Sequence, residues 1–267
     1  MKISVFYDHV INAAKQNNTD VESMLRSIKA LGIDFVEMDA EMLAGDFDNI
    51  TGWLRNAKIG ISCIYRTFDY THKKEMRRSL NLIRLAVKSG SKGILIIPGF
   101  TDGITDKEAY NKSIPQVAWI SKKAVKKGLL PLMEDFDYHT STCSDIKGLS
   151  TYLEAVPELS LAFDTGNFIY SGEDDMDAFN KLNKRIRHVH LKDRSYTDTG
   201  SDHIDTVAGK TIYTCPVGLG DMPIKEILHR LKDMDYDGIF AIEHFGACDH
   251  YEYMKKSVQY IKGIWND

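Results

Sequence analysis

The sequence predicts an α/β fold, a single (β/α)8 TIM barrel, on three observations. Short apolar runs alternate with longer amphipathic stretches, the runs number eight, and no Pro-, Gly- or Ser-rich linker divides the chain. A length of 267 residues suits one such domain over residues 1–267. A composition 43% hydrophobic and 27% charged is that of an ordinary globular chain with enough apolar residues for a full core. A doubly wound parallel sheet is the structural alternative.

The first strand is expected at Ile3–Tyr7, an apolar run that Asp8 and His9 end at once. It is too short for the apolar stretch of a signal peptide. The second, Phe35–Met38, follows Leu31-Gly32-Ile33, and glycine recurs at this kind of junction in Ser89-Gly90-Ser91, Lys127-Gly128-Leu129 and Asp237-Gly238-Ile239. A glycine that ends a helix just before a strand is the usual αβ connection. Further strands are expected at Ile59–Tyr65, Gly93–Pro98, Leu129–Glu134, Leu159–Asp164, Ile186–Leu191 and Gly238–His244. The clearest helical spacing lies in Lys73–Ser89 and Ile114–Lys127. Residues 193–222 form an unusually long, polar stretch after the seventh strand, and long βα loops in barrels tend to be lids or binding loops.

The formal net charge of −4 excludes binding of nucleic acid or anionic membranes by bulk charge. Cys63, Cys143, Cys215 and Cys248 match no zinc or redox spacing, so they read as reduced thiols. No apolar run reaches transmembrane length. A soluble, cytoplasmic protein is expected, free to form homo-oligomers, with a small sugar-like molecule as partner and neither nucleic acid nor membrane.

Four strands end on a hard-metal ligand type: Leu-Met-Glu134, Ala-Phe-Asp164, His188-Val-His190 and Ala-Ile-Glu243. Alternation along each strand lets Glu134, Asp164, His190 and Glu243 face the barrel axis at its C-terminal end. Active sites of such barrels sit there. Singly, each has an ordinary explanation, such as a helix cap for Asp164 before Thr-Gly-Asn. Together they bring three carboxylates to one mouth, which is costly unless protons or a cation compensate. One divalent metal ion removes the conflict, and a donor set dominated by carboxylates suits Mn²⁺, Mg²⁺ or Co²⁺ ahead of Zn²⁺.

These four residues, with His-Val-His-Leu-Lys-Asp, Val-Gly-Leu-Gly-Asp-Met-Pro and Tyr236-Asp237-Gly238 before Ala-Ile-Glu243-His, resemble the xylose-isomerase-like superfamily of sugar isomerases and epimerases. The resemblance covers nearly the whole chain, its second half most specifically. It implies a TIM barrel, a metal held by Glu134, Asp164, His190 and Glu243, and substrates that are ketoses, keto-polyols or their phosphates. It also implies Glu134 and Glu243 as the acid–base pair of an enediolate mechanism. Lys192 and Arg194 extend from the same strand end and are candidates for holding substrate hydroxyls or a phosphate, with Asn167 and His188 as further substrate-site candidates. For His188, one inward position deeper than His190, packing or a hydrogen bond to a ligand is favoured over metal binding. Tyr7, His9, Glu37, Arg66 and His139 are weaker candidates at the mouth.

The expected function is a metal-dependent sugar isomerase or epimerase. An inosose-type dehydratase on the same metal site is the alternative. An apurinic-endonuclease-like activity is remote: Ile96-Ile97-Pro98-Gly99 and Ile64-Tyr65-Arg66 lack the histidines of that pattern, and Asn167 stands where it and several ketose 3-epimerases carry histidine. A Schiff-base aldolase through Lys192 would not need the three carboxylates, and neither would a barrel that binds sugar without turnover.

Overall fold

The computed structural model describes residues 1–70, 75–99, 104–138 and 140–266. Its strands are β1 (Lys2–Phe6), β2 (Phe35–Asp39), β3 (Gly60–Phe68), β4 (Gly93–Pro98), β5 (Leu130–Met133), β6 (Ser160–Asp164), β7 (Ile186–Ser195), β8 (His203–Asp205), β9 (Thr211–Cys215) and β10 (Ile239–Glu243). Strands β1 to β7 lie side by side in order and parallel. β10 then pairs with both β7 and β1, closing the ring. The predicted (β/α)8 barrel is therefore the fold. A doubly wound sheet would leave two free edges, and the closing β7–β10 pairing excludes it.

The helices are α1 (Tyr7–Gln16), α2 (Val21–Leu31), α3 (Ala40–Gly45), α4 (Phe47–Ala57), α5 (Glu75–Ser89), α6 (Asp106–Val125), α7 (Ile146–Ala155), α8 (Asp175–Leu182), α9 (Ile224–Asp233) and α10 (His250–Asn266). Their apolar faces join the outward residues of the strands, such as Ile3, Val5, Val36 and Phe240, in one large core. Side chains of Asp20, Asp39, Thr105, Asp145 and Asp174 cap helix N-termini by accepting backbone N–H bonds. Inside the barrel, Cys63, Leu95, Ile97, Leu132 and Ala162 form a second, smaller apolar cluster.

Two expectations shift. Tyr7 opens α1 rather than ending β1. Helix α6 starts at Asp106, well before Ile114, because Thr105 caps it at Glu108 and it carries Pro115 in its interior. Its charged first turns hide the apolar spacing. The helix expected at Lys73–Ser89 is present from Glu75; residues 71–74 lie outside the described residues.

The stretch 193–222 is more ordered than a long loop. β7 runs on to Ser195 and pairs antiparallel with β9, which pairs with β8. Asp193 anchors the return. Its carboxylate accepts N–H bonds from Gly218, Gly220 and Met222, at 2.8, 3.0 and 3.3 Å. A Cβ at Gly220 would lie 2.2 Å from Asp193 Oδ1, so this approach requires glycine. The Val-Gly-Leu-Gly-Asp-Met phrase thus has a structural role. Among the described residues, no helix is long and apolar enough to cross a membrane.

Candidate metal centre

Alternation along β6, β7 and β10 turns Asp164, His190 and Glu243 inward at the mouth, and Glu134 enters immediately after β5. One ligand atom from each of these four buried residues lies within 4.8 Å of the others. The four residues singled out in the sequence are therefore brought together.

His190 organises the group. Its Nδ1 faces the carboxylates, 2.5 Å from Glu134 Oε2 and 3.4 Å from Glu243 Oε2. Its Nε2 lies 3.3 Å from Glu37 Oε2, while Glu37 Oε1 is 2.6 Å from His188 Nε2. Burial alone would raise the pKa of Glu37, but the imidazoles of His188 and His190 outweigh it and hold the carboxyl below its usual range. An ionised Glu37 keeps a proton on His190 Nε2 and leaves Nδ1 to offer a lone pair. Burial also opposes charge on His190, yet Glu134 and Glu37 more than offset it and raise its pKa well above the ordinary value. Ligation through Nδ1 would displace that proton.

Asp164 Oδ1 accepts the Gly166 N–H at 2.8 Å, but its fully buried Oδ2 has no hydrogen-bond partner. It caps only this tight turn. Burial pushes the carboxyl up to about 7, helped by Glu243 and Glu134 and opposed by Lys192. Three crowded carboxylates, an orphaned oxygen and an imidazole nitrogen facing them fit a divalent ion. The mixed O₃N donor set is chemically ordinary for one.

Lys192 turns its ammonium into the same space, 2.5 Å from Glu243 Oε1, 2.7 Å from Asn167 Oδ1 and 3.6 Å from Asp164 Oδ2. Burial would lower its pKa, but Asp164, Glu243 and Asp137 raise it above the usual lysine range. These carboxylates favour its ammonium form over the neutral amine that a Schiff base needs. Asn167 spends its amide on Lys192 and on the backbone oxygen of Asp135, the latter at 2.9 Å. Arg194 donates to Thr214 Oγ1 and Asp137 Oδ2, each at 3.2 Å, and its buried Nε has no partner.

A cavity of about 440 Å³ opens above these groups, and Glu134, Asn167, Lys192, Arg194 and Glu243 line it. Asp202, His203, Ile204 and Thr214, from the 193–222 excursion, line it as well. His188 does not; its ring is engaged by Glu37, so it acts at one remove from any substrate. Glu37, a weak candidate in the sequence, proves central, because only the closed barrel brings β2 against β7. Arg66 pairs with Glu41 and Tyr7 is buried in α1; neither lines the cavity. His139 lies outside the described residues.

A second group of buried rings, His9, His244 and His250, adjoins the centre, since His244 follows Glu243. His9 Nε2 accepts the backbone N–H of His244 at 2.9 Å, so the proton of a neutral His9 sits on Nδ1. This ring then has no lone pair left for a cation. Burial, then the neighbouring imidazoles, hold His9 and His244 well below the ordinary histidine value, and they stack as neutral rings at 4.3 Å.

The family model described as xylose isomerase-like TIM barrel matches residues 25–264, and the chain belongs to that family. An inosose dehydratase of Lacticaseibacillus casei is 31% identical over 133 residues, which cover 47% of this chain and 44% of that protein. The chain thus spans about half the length of this curated relative. Among solved structures, a D-allulose 3-epimerase from Methylomonas sp. superposes with a TM-score of 0.76 at 14% identity, covering 99% of this chain and 98% of that one. A xylose isomerase-like TIM barrel protein from Mycobacterium smegmatis, in complex with magnesium, gives 0.71 at 16% identity over 91% and 87%. An IOLI protein with a bound zinc atom gives 0.73 at 17% identity over 99% and 96%. At these identities the structural likeness concerns the fold.

Proposed function

We propose that this member of the xylose isomerase-like family isomerises or epimerises a small, uncharged polyhydroxy ketone by moving a proton at the carbon beside the carbonyl. The convergence of Glu134, Asp164, His190 and Glu243 at the floor of the cavity carries this reading. These four side chains would hold the ion, with Mn²⁺, Mg²⁺ or Co²⁺ ahead of Zn²⁺ because oxygen donors dominate. When bound, a divalent ion supplies Lewis acidity to a substrate carbonyl and offsets the charge that builds on enolisation. Glu134 and Glu243 are the proton acceptor and donor. Lys192 holds Glu243, and Arg194, braced by Thr214 and Asp137, lines the cavity wall where substrate hydroxyls would lie.

The cavity's charge supports an unphosphorylated substrate. Among the described residues, its wall carries the carboxylates of Asp39, Glu134, Asp137, Asp202 and Glu243 against the cations Lys192 and Arg194. Both cations already face carboxylates, so a dianionic phosphate would meet repulsion rather than a free clamp.

Dehydration is the second reading. Similarity to an inosose dehydratase favours it, and the same pair, Glu134 and Glu243, would take the proton beside the carbonyl and give one to the departing hydroxyl. Incubation with Mn²⁺ and a panel of ketoses and inososes in D₂O, followed by NMR, separates the outcomes. Deuterium beside the carbonyl with inverted or migrated oxygen chemistry supports the first reading. A dehydrated product supports the second. Turnover with no solvent deuterium incorporated would overturn proton transfer through Glu134 and Glu243.

A further inference from the structure

The cavity is two-sided. Its hydrogen-bonding groups come largely from the ends of β5, β6 and β7 and from the excursion: Asp137, Asn167, Lys192, Arg194 and Thr214. The other side is mainly aromatic and aliphatic, with Asp39 and Thr67 as its polar groups. Phe6, at the end of β1, packs edge-on to His190 and to Phe245, each with ring centroids 5.2 Å apart, and lies 5.7 Å from Tyr65. Tyr65 donates its hydroxyl to Asp8 at 3.2 Å, so its polar tip is already satisfied and its ring adds apolar wall. Leu95 and Ile97 continue that wall along β4.

Two further observations bear on what covers the arc. Phe245 remains 45% exposed although it lines the cavity, and its backbone oxygen is held by Thr214 Oγ1 at 2.8 Å. Phe245 is continuous with Phe6 and Tyr65, so the three rings together offer a face on which an apolar group can stack. The volume agrees. About a dozen non-hydrogen atoms of a hexose, each granted a full water's share of ~30 Å³, fill roughly 360 Å³, and bonded atoms need much less. That leaves part of the 440 Å³ empty with a lone monosaccharide.

We infer that the cavity takes a sugar or polyol ketone bearing a bulky, ring-containing apolar substituent, with the polar ring over the carboxylate centre and the substituent on the Phe245–Phe6–Tyr65 arc. This assignment of the ketone rests on the proposed function above. The arc itself can be probed without it.

Calorimetric titration with phenyl and methyl glucopyranosides, both anomers, tests the arc using probes that carry no carbonyl. A phenyl glycoside should bind roughly tenfold or more tightly than its methyl counterpart, as expected for burying an aromatic ring. Phe245→Ala should erase most of that preference. Equal affinities, no detectable binding of either phenyl anomer, or a preference that survives Phe245→Ala would overturn the inference. Because the probes cannot enolise, failed deuterium exchange would sink the proposed reaction without touching this result.

Discussion

Glu37 bonds two histidines of one strand at once: Oε1 meets His188 Nε2 at 2.6 Å and Oε2 meets His190 Nε2 at 3.3 Å. The strands β2 and β7 that carry them are not neighbours in the sheet. The carboxylate thereby decides which nitrogen of His190 faces Glu134, Asp164 and Glu243. Removing the charge of Glu37 should loosen metal binding without touching a ligand. Glu37→Gln is expected to weaken affinity for Mn²⁺ about 10- to 100-fold, as outer partners of ligating histidines typically do. Titration of the metal-free protein measures it, and unchanged affinity would show that His190 needs no such partner.

Loss of a ligand and loss of a base should behave differently. His190→Ala is expected to act through metal affinity, so excess Mn²⁺ should partly restore turnover. Glu134→Gln and Glu243→Gln keep an oxygen near the same place but remove the base. Each should reduce turnover by roughly 10² or more, and added metal should not restore it. Full rescue of either glutamine variant by metal would assign that glutamate to binding alone.

The pH dependence follows from Asp164, whose carboxyl is pushed up to about 7 by burial and by Glu243 and Glu134. A group with a raised folded pKa contributes stability that is complete below its unfolded value near 4 and is lost as pH rises through about 7. The metal-free protein should therefore lose stability between pH 4 and 8. Ligation needs the ionised carboxylate, so Mn²⁺ should raise Tm more at pH 8 than at pH 5.5. A metal-induced shift that shrinks as pH rises would contradict this.

Asp202 meets Gly246 where the excursion touches the loop after β10. Gly246 N–H is not the donor here: Asp202 N–H donates to the Gly246 carbonyl at 2.9 Å. Gly246 has φ +77°, and a Cβ there would lie 2.4 Å from Asp202 Cβ. Gly246→Ala should cost about 1–3 kcal/mol through backbone strain and displace the excursion from the mouth. Thermal melting reads the first effect, and an increased KM the second. A variant with wild-type Tm and KM would show that the contact yields freely.

Much of the fold was legible in the sequence because each strand is an apolar run with its own glycine or polar boundary, and the count of eight suits closure. The grouping of four buried side chains at the mouth was legible for a related reason. Strand ends share one face of a barrel, so Glu134, Asp164, His190 and Glu243 converge by alternation alone. The start of α6 was hidden by its charged first turns, and β8 and β9 were too short to rise above a polar stretch. What only the tertiary structure decided lies across the barrel rather than along the chain. Glu37 reaches His188 and His190 through 151 and 153 residues of separation. Lys192 turns inward to carboxylates from other strands, and Asp193 gathers the amides of Gly218, Gly220 and Met222. Local pattern reports which face a side chain takes. Which partner it meets there depends on closure, stagger and the return path of the excursion, which no short window of sequence contains.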